Sequence, residues 1–384
     1  MKRRTFVQLA TGLALAGPGL ALAAAPTDRR LVVVVLRGGL DALHAVPPTD
    51  DPDYRSARPT LAVPPPGQPD GALALDGVFG LHPKLAPLHP LYREHELFVL
   101  HAATTSYRGR SHFDGQNQLE NGTGRPFGAS DGWLNRAIAA LYQGGRLGLA
   151  LGPSVPLMIQ GDAGVATWAD SPLPSVDEDF LDRLAHVYAP DASFASTFAQ
   201  SRQTLVPSTA AIAERGKELT HAATVAADFL VRDDGPRIAV VESTGWDTHF
   251  SQQRRLDTLF EQLSAALLAL RAGLREQWAQ SVVVVVSEFG RTVAENGSRG
   301  TDHGVGGLAL VLGGSVAGGR VVGDWPGLQT GQRHEGRDLQ PANAYEALFK
   351  GLLIEHLDLS PKAIEARVFP QSAHLRPLSG LLRR

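Results

Sequence analysis

The chain has 384 residues, 43% of them hydrophobic and 20% charged, which is ordinary for a soluble globular protein and allows one large α/β domain or two smaller ones. Its formal net charge is −3, and a mildly acidic chain without a basic block predicts no nucleic-acid partner. The absence of cysteine excludes disulfides, thiolate ligands and thiol catalysis, so any metal ion must be held by oxygen and imidazole.

The first 25 residues have the three parts of an export signal. A basic start with Lys2, Arg3 and Arg4 is followed by an apolar run from Leu9 to Leu22 and by small residues. The RRTFV stretch resembles the twin-arginine consensus, which implies that the twin-arginine machinery exports the folded protein. A membrane anchor is the less favoured alternative, because glycine and proline interrupt a short run. We expect the mature protein to be periplasmic or secreted, without a membrane span.

Residues 31–36 (LVVVVL) are the first predicted strand. An uninterrupted aliphatic run cannot alternate between core and solvent, so it predicts a strand buried on both faces of a largely parallel sheet. Asp41 follows two glycines and is either a metal ligand or the N-cap of the next segment, and the residues leave both open. Residues 47–72, rich in proline and aspartate, predict an ordered surface loop, and residues 81–93 a short helix interrupted by prolines.

Residues 97–102 predict another strand, and the polar run after it becomes helical where Ser111 can cap a helix that starts at His112. A hydroxyl at a helix N-terminus lies in a field that stabilises an oxyanion, which suits a nucleophile attacking a phosphate or sulfate ester. A plain N-cap is the commoner use of such a serine. Arg108 and Arg110 are candidates for holding an anionic group, with ordinary solvation as the alternative.

The middle of the chain predicts a helix over residues 131–142 and strands over 147–151 and 157–160. Residues 170–235 differ from their surroundings, because they are alanine-rich and amphipathic and contain few branched strand formers. They predict a helical insertion over the sheet. We therefore expect residues 26–384 to form a single α/β domain with this insertion.

Residues 237–241 predict the next strand, which is followed by the GWDTH turn. Asp247 and His249 lie two positions apart in that turn, so both can point at one centre, with a hydrogen-bonded cap as the alternative. Apolar residues at helical spacing from Leu256 to Leu274 then predict one long helix. Strand–helix–strand order implies a parallel crossover, which would place this turn beside the loop after the following strand.

That following strand, residues 282–286, consists of five consecutive valines and predicts burial on both faces. Glu288, Arg291, Asp302 and His303 come after it, among glycines. Ionisable groups at the carboxyl end of a buried strand stand where α/β sheets form ligand crevices, which predicts the wall of an active site rather than a polar surface loop. The last elements predicted are strands over 308–312 and 320–322 and a helix over 341–357.

Four predicted strands thus end in an acid, an imidazole or a hydroxyl. Carboxylates with imidazoles and without thiolates suit Zn²⁺ or Mn²⁺, and two such ions would clamp an in-line displacement at phosphorus. No glycine cluster has the order and context of a dinucleotide site. The residues predicted to meet in one crevice are Asp41, Ser111, Asp247, His249, Glu288, Asp302 and His303.

The combination of the twin-arginine start, RGGLDALHAVPP, SHFDGQNQLENG, GWDTHF and SEFGRT…GTDHG resembles the secreted bacterial domain-of-unknown-function 1501 family over nearly the whole mature chain. That family is regarded as a distant relative of the alkaline phosphatase and sulfatase superfamily. The resemblance implies an alkaline-phosphatase-like α/β fold, in which a largely parallel central sheet is flanked by helices. It also implies one or two divalent metal ions.

Carried over to this sequence, the resemblance implies that Asp41 is the acid after the first strand and that Ser111 occupies the position of the nucleophile. Asp247 and His249 resemble the Asp–His pair of a metal site, with shorter spacing than in the superfamily.

Further along, Glu288 replaces the aspartate of an SDHG-like turn, and Phe289 stands at the usual histidine position, where it cannot ligate a metal. His303 resembles the later histidine, with Asp302 as a substitute ligand or as the residue that orients it. The number of metal ions therefore remains open at one or two.

The leading hypothesis is an exported metal-dependent hydrolase of phosphate or sulfate esters that acts on a small anionic ester. In this hypothesis Ser111 attacks the ester, and Arg108, Arg110 or Arg291 holds the anion. The first alternative is a non-catalytic exported binding or assembly protein that retains the fold. The second is a structural partner of a co-exported protein, engaged through the helical insertion.

Overall fold

Strands and helices alternate along most of the chain in the computed structural model, which describes residues 27–142, 147–152, 154–169, 178–204 and 216–383. The predicted export signal, residues 1–25, lies outside the described residues. In chain order the strands are β1 Arg30–Leu36, β2 Leu73–Ala74, β3 Gly80–Leu81, β4 Leu97–Thr104, β5 Gly148–Leu151, β6 Val165–Trp168, β7 Ile238–Ser243, β8 Ser281–Val286, β9 Gly307–Leu312, β10 Arg320–Val322 and β11 Asn343–Ala344.

The α-helices surround these strands. In chain order they are α1 Ala42–Ala45, α2 Pro52–Ala57, α3 His89–Arg93, α4 His112–Asn121, α5 Trp133–Leu141, α6 Glu178–Tyr188, α7 Ala192–Thr204, α8 Glu218–Leu230, α9 Gln252–Leu274, α10 Tyr345–Glu355 and α11 Pro361–Ala363.

The main sheet has the strand order β10-β4-β9-β8-β1-β7-β5-β6, and β11 also pairs with β4. The central strand β1 is parallel to both of its neighbours, so that Val33 lies beside Val240 of β7 and Val284 of β8. Strand β9 is antiparallel to both β8 and β4. The predicted α/β fold with a largely parallel central sheet is therefore confirmed.

The valine runs of β1 and β8 are buried on both faces of the sheet. Val32 and Val34 belong to the core that α8 and α9 cover, whereas Val33 and Val35 belong to the core that α5 and α10 cover. Burial of this kind contributes about 25 cal/mol for each Å² of apolar surface removed from water. Because both faces need apolar side chains, the strand cannot alternate in polarity, which is why the uninterrupted run was a reliable signal.

Two predictions of local structure are wrong in detail. Residues 157–160, predicted as a strand, contain the 3₁₀ turn Leu157–Ile159, and the edge strand β6 lies further along the chain. The predicted loop 47–72 contains the short helix α2. The prediction of a short helix interrupted by prolines over 81–93 is confirmed. A 3₁₀ segment, Pro83–Leu88, precedes α3, because proline removes the amide hydrogens that a continuous α-helix needs.

The described part of residues 170–235 is helical and contains α6, α7 and α8. Helix α8 packs against α9 in the core, with Val225 and Phe229 buried. Val187 of α6 and Phe194 of α7 are instead largely exposed. Within the described residues, no helix is both long enough and apolar enough to cross a membrane.

The polar loops that follow β1, β4, β7 and β8 all lie at the same end of the sheet, where these strands have their carboxyl ends. We call this end the carboxyl edge. Strands β1, β7 and β8 run parallel, and β4 runs in the same direction because both it and β8 are antiparallel to β9. Strand β9 therefore starts at this edge, just after His303. This shared edge is where an α/β sheet forms its ligand crevice.

Candidate functional site

Four side chains from three of these loops converge at the carboxyl edge of the sheet. His112 is the first residue of α4, Asp247 and His249 lie in the turn after β7, and His303 precedes β9. The segments after β8 and before β9 pair as a short antiparallel ladder, in which Arg291 and His303 form a backbone bridge. This ladder brings the GTDHG segment back beside the end of β8.

Nitrogen and oxygen atoms of these side chains lie within hydrogen-bond distance of one another. The Nε2 atom of His303 is 3.1 Å from His112 Nε2 and 3.0 Å from His249 Nε2. Asp247 Oδ1 is 3.1 Å from His303 Nε2 and 2.9 Å from His249 Nε2, and Asp247 Oδ2 is 3.4 Å from His112 Nε2. His112, Asp247 and His303 form a group whose ligand atoms all lie within 4.8 Å of one another.

The Nδ1 atom of each imidazole faces an acceptor outside this cluster. His112 Nδ1 is 2.8 Å from Glu288 Oε1, His303 Nδ1 is 2.9 Å from the Arg110 carbonyl, and His249 Nδ1 is 3.3 Å from Asp302 Oδ1. Ionised carboxylates and carbonyls only accept hydrogen bonds, so each Nδ1 must donate. In the neutral tautomer that follows, each Nε2 carries a lone pair directed into the cluster.

His303 Nε2 and the Asp247 carboxylate each lie 2.9–3.4 Å from the other three groups of the cluster, so their lone pairs repel unless a cation or protons lie between them. A tetrahedral site with metal–ligand bonds of about 2.0–2.1 Å has ligand–ligand separations of about 3.3 Å, close to the observed ones. Hydrogen bonds from the second ring nitrogen to carboxylates or carbonyls are also typical of metal-bound histidine. The donor set and its surroundings therefore fit a divalent metal ion such as Zn²⁺.

The protonation of the cluster depends on its neighbours. Burial alone would raise the pKa of Asp247, but the hydrogen bond and charge of Arg291 lower it below the usual aspartate value. Burial lowers the pKa of His303, which favours its neutral form. The hydrogen bond with Glu288 raises the pKa of His112 despite burial, so a proton and a metal ion compete for that ring.

Glu288 and Asp302, predicted as metal ligands, lie one layer behind the cluster. Glu288 is fully buried, and its Oε1 accepts from the Gly38 amide (2.9 Å) and Gln116 Nε2 (3.0 Å) as well as from His112. Asp302 faces His249 rather than His303, and its Oδ1 also accepts from Asn296 Nδ2 at 3.1 Å. In this structure both carboxylates orient histidines.

Asp41, also predicted as a ligand, is the N-cap of α1. Its Oδ1 accepts from the His44 amide, and its Oδ2 accepts from Arg58 Nη1 at 2.8 Å and Gln252 Nε2 at 2.6 Å. Burial would raise the pKa of Asp41, but Arg58 more than offsets this and lowers it. The carboxylate is 1% exposed and is not part of the cluster, because Arg58 already neutralises its charge.

A chain of buried hydrogen bonds nevertheless links Asp41 to the cluster. Gln252 accepts from the Thr301 hydroxyl at 2.7 Å, and that hydroxyl accepts from Arg291 Nε at 3.1 Å. Arg291 Nη1 then donates to Asp247 Oδ1 at 2.5 Å. Every link is buried except Asp247 itself, so the network holds the orientation of that carboxylate.

All three arginines predicted to hold an anion already have partners within the protein. Arg108 Nη1 donates to the Thr105 carbonyl at 2.6 Å and to the Tyr107 carbonyl at 2.9 Å. Arg291 is fully buried and directs its donors at Asp247 and Thr301. Arg110 pairs with Asp338 Oδ2 at 2.7 Å and Glu335 Oε2 at 2.6 Å. Arg110 instead supplies the backbone carbonyl that fixes His303.

Ser111 caps α4 as predicted, with its Oγ accepting from the Asp114 amide at 3.4 Å. It is adjacent in sequence to His112 and so stands at the edge of the cluster. Phe289 is buried, with ring centroids 4.8 Å from His112 and 5.2 Å from His303. At the position where the superfamily pattern has a histidine, this chain therefore has an apolar wall that packs against two of the imidazoles.

His112 is not among the site residues that the sequence predicts, although its side chain lies in the cluster. The available signal was its position, because it directly follows the predicted nucleophile in the SHFDG motif. A side chain in the first helical turn after a buried strand is placed at the same sheet edge as the other loops. That reasoning applied to Ser111 and extends to its neighbour.

Comparisons with known proteins give one family and several distant structures. The model of the family described as "Protein of unknown function (DUF1501)" matches residues 109–374, which include all four converging side chains. No curated protein matches the sequence.

Among solved structures, the PsFucS1 sulfatase from Pseudoalteromonas sp. is 14% identical, with a TM-score of 0.40, covering 93% of this chain and 74% of that one. Alkaline phosphatase from the Antarctic bacterium TAB5 is 10% identical, with a TM-score of 0.37, covering 74% of this chain and 91% of that one. The C-terminal periplasmic domain of EcEptC from Escherichia coli, in complex with Zn, is 9% identical, with a TM-score of 0.34, covering 76% of this chain and 74% of that one. At such values these similarities do not bear on what this chain does.

Proposed function

We propose that this chain, which belongs to the DUF1501 family as its motifs predicted, is an exported metal-dependent hydrolase of phosphate or sulfate esters. The observation that carries the proposal is that His303 Nε2 and the Asp247 carboxylate each lie 2.9–3.4 Å from the other three groups of the cluster, with every Nδ1 already hydrogen-bonded. Such a cluster is costly without a cation, and it lies at the sheet edge where substrates bind.

In this proposal His112, Asp247, His249 and His303 hold one divalent ion, Zn²⁺ or Mn²⁺. A bound ion supplies Lewis-acid polarisation of the ester and lowers the pKa of an oxygen nucleophile. Glu288, Asp302 and the Arg110 carbonyl keep the three rings in the required tautomer, a role that is supported by their distances of 2.8–3.3 Å.

Ser111 is the nucleophile in this proposal. Its hydroxyl lies at the N-terminus of α4, whose partial positive charge favours an oxyanion, and it directly precedes His112. The serine oxygen would form a bond to phosphorus or sulfur as the ester bond breaks, and the alcohol would leave with a proton equivalent to the one that the serine gives up. Water would then cleave the seryl ester, which releases phosphate or sulfate and restores the serine hydroxyl. The observed cap bond to the Asp114 amide is long, at 3.4 Å, so little is lost when the hydroxyl turns toward a substrate.

The test measures the metal content of the purified protein together with turnover of 4-nitrophenyl phosphate and 4-nitrophenyl sulfate. We expect a bound transition metal, which EDTA removes, and turnover that Zn²⁺ or Mn²⁺ restores. His303→Ala and His112→Ala should each lose the metal, whereas His186→Ala, on the exposed surface of α6, should retain it. Metal-free protein after growth in excess Zn²⁺ and Mn²⁺ would refute the proposal.

Two substitutions at Ser111 separate its roles. Ser111→Ala removes both the cap and the nucleophile and should cost about 1 kcal/mol in the free energy of unfolding. Ser111→Asn keeps a capping side chain but removes the hydroxyl, so it should fold as stably as the parent and still lose turnover. Turnover that survives in Ser111→Asn would exclude this serine and assign the attack to water.

One observation favours the alternative of a non-catalytic exported binding or assembly protein. Arg110 and Arg291 are tied to carboxylates, and Arg108 Nη1 donates to the Thr105 and Tyr107 carbonyls, so each arginine of the predicted set is already engaged within the protein. In that case the protein should bind the metal as described but show no turnover with any aryl phosphate or sulfate ester. The separate alternative, in which the helical insertion docks to a co-exported protein, stays a prediction.

Export through the twin-arginine machinery remains part of the proposal. It is supported by the RRTFV stretch and the apolar run that follows it. A chain that folds before export can acquire its metal in the cytoplasm. Replacing Arg3 and Arg4 together by lysine should keep the protein in the cytoplasm, and undiminished periplasmic recovery of that variant would argue against this route.

A further inference from the structure

A surface pocket of about 410 Å³ is lined in part by residues of the two loops that carry His249 and Asp302. It is lined by Ser251, which follows His249 by two residues, and by Arg299, which precedes Asp302 by three. Gln253, Arg254 and Asp257 from the first turns of α9 complete most of the wall, together with Thr60. We refer to this space as the arginine cavity.

The arginine cavity and the metal site share the same two loops. The Ser251 amide donates to the Ser298 carbonyl at 3.1 Å, and the Gln252 amide donates to the Arg299 carbonyl at 2.9 Å. Asn296, in the second loop, donates to the His249 carbonyl at 2.9 Å. Two residues span at most about 7 Å, so the Cα atom of Ser251 lies within that distance of the Cα atom of His249.

Charge distinguishes this cavity from the metal site. Arg254 and Arg299 are exposed and pair with no carboxylate among the described residues, whereas Arg58, Arg110 and Arg291 are all paired. The acid in the wall is Asp257, which lies 3.7 Å from His82 Nε2. Among the lining side chains, two guanidinium groups stand against this one carboxylate, while the nearby Glu295 carboxylate already accepts from the Thr60 and Leu61 amides.

We propose that the arginine cavity binds a second anionic group of the substrate, while the ester to be cleaved lies at the metal cluster. This inference rests on the proposed function and narrows its substrate class to esters that carry a further phosphate, sulfate or carboxylate. Guanidinium groups bind such oxyanions through paired hydrogen bonds. Thr60 and Gln253 add neutral hydrogen-bonding groups beside the charged ones.

The first arm of the test measures binding without catalysis. Inorganic sulfate is titrated calorimetrically into the mature protein, both metal-loaded and after EDTA treatment. We expect saturable binding in both forms, which weakens at least about tenfold in the double variant Arg254→Ala/Arg299→Ala. The control Arg255→Ala lies on the same helix turn, outside the cavity, with its guanidinium over the Phe250 ring, and should bind sulfate as the parent does. Equal binding by the double variant and the parent would overturn the proposal.

The second arm compares phenyl phosphate with 4-carboxyphenyl phosphate. We expect the parent and Arg255→Ala to favour the carboxylated ester about tenfold in kcat/KM, and the double variant to lose this preference while turning over phenyl phosphate unchanged. Equal preference in all variants would overturn the second-anion site and leave the hydrolase intact. Failure to turn over either ester, with sulfate binding that still depends on the two arginines, would overturn the hydrolase and support the cavity as an anion site.

Discussion

Asp41 and Asp247 are both aspartates that follow a buried parallel strand, yet their carboxylates meet different neighbours. Asp41 accepts from Arg58 and Gln252 and is buried, whereas Asp247 is 40% exposed and faces three imidazoles. A carboxylate already neutralised by a buried guanidinium has little left to offer a cation. The pairing, rather than the residue type, decides which aspartate can serve as a ligand.

The first prediction concerns Asp41→Asn. Asparagine caps a helix as well as aspartate does, but it cannot balance the charge of the buried Arg58. We expect the free energy of unfolding to fall by about 3–5 kcal/mol, the usual cost of leaving one member of a buried ion pair alone. Metal content, measured on the folded fraction, should remain that of the parent.

Asp247→Asn is the matched comparison, because it also removes a partner of a buried arginine. This variant should lose the metal as well as stability. If Asp41→Asn lost the metal while unfolding normally in denaturant, metal binding would depend on the Asp41 carboxylate, either directly or through the buried network that reaches Asp247.

At the scale of elements, the cluster depends on how closely the loop after β1 passes the turn after β7. Gly38 has a φ of +129°, and a Cβ atom there would overlap the backbone nitrogen of Asp247. The Trp246 amide also donates to the Arg37 carbonyl at 3.3 Å, which ties the two segments together. Only glycine permits this approach, and the position of Asp247 follows from it.

The second prediction is that Gly38→Ala disturbs the cluster from behind. The added methyl group must push the Asp247 backbone away, and the alanine must adopt a strained φ. We therefore expect the free energy of unfolding to fall by about 1–3 kcal/mol. Metal affinity should fall at least about tenfold, because one ligand moves relative to three imidazoles. Denaturant unfolding and metal titration measure the two effects.

Gly297→Ala serves as the control for this substitution. A Cβ atom at Gly297 meets nothing within 4 Å, so its stability should stay within about 0.5 kcal/mol of the parent with unchanged metal affinity. Normal metal binding by Gly38→Ala would show that the turn after β7 holds Asp247 without support from the loop after β1.

At the scale of the whole molecule, several histidines outside the cluster are buried in the neutral state. Burial lowers the pKa of His44, His101 and His356 to about 4 and that of His82 to about 3. His101 uses both nitrogens, since Nε2 is 3.0 Å from the Val46 carbonyl and Nδ1 accepts from the Ala102 amide. Protonation would break that second bond.

The third prediction follows from the sign of these shifts. The folded-state pKa values lie below the usual unfolded value of about 6.5, so the unfolded chain binds more protons between pH 6.5 and pH 4. Stability should therefore be complete above pH 6.5 and fall as the pH drops. Each such histidine contributes about 1.4 kcal/mol per pH unit in this window.

Urea unfolding of the EDTA-treated protein between pH 7 and pH 4.5 measures this slope without competition from metal binding. His356→Gln can still donate to the Arg30 carbonyl that His356 Nε2 contacts at 2.8 Å, so it should fold with a shallower slope. His186→Gln, on an exposed helix, should leave the slope unchanged. A stability that does not change between pH 7 and pH 4.5 would contradict neutral burial.

The sequence alone determined the fold class, the family to which its motifs belong and the end of the sheet at which the polar loops lie. Runs such as 282–286 are informative because a strand covered on both faces must be apolar throughout, and such a run is visible in the sequence itself. The weakly patterned segment 157–160 carried no such demand and was assigned to the wrong element.

Only the tertiary structure decided which polar groups face one another. The His112 side chain lies in the cluster, and Glu288 and Asp302 accept hydrogen bonds from the outer nitrogens of two of its rings. Asp41 forms an ion pair with Arg58. Sequence spacing places each residue along its own loop, but the order of strands decides which loops are neighbours. Whether a histidine can bind a cation through Nε2 depends on the hydrogen bond at its Nδ1, and whether a carboxylate can do so depends on the partners of its oxygens. Those partners come from distant parts of the chain.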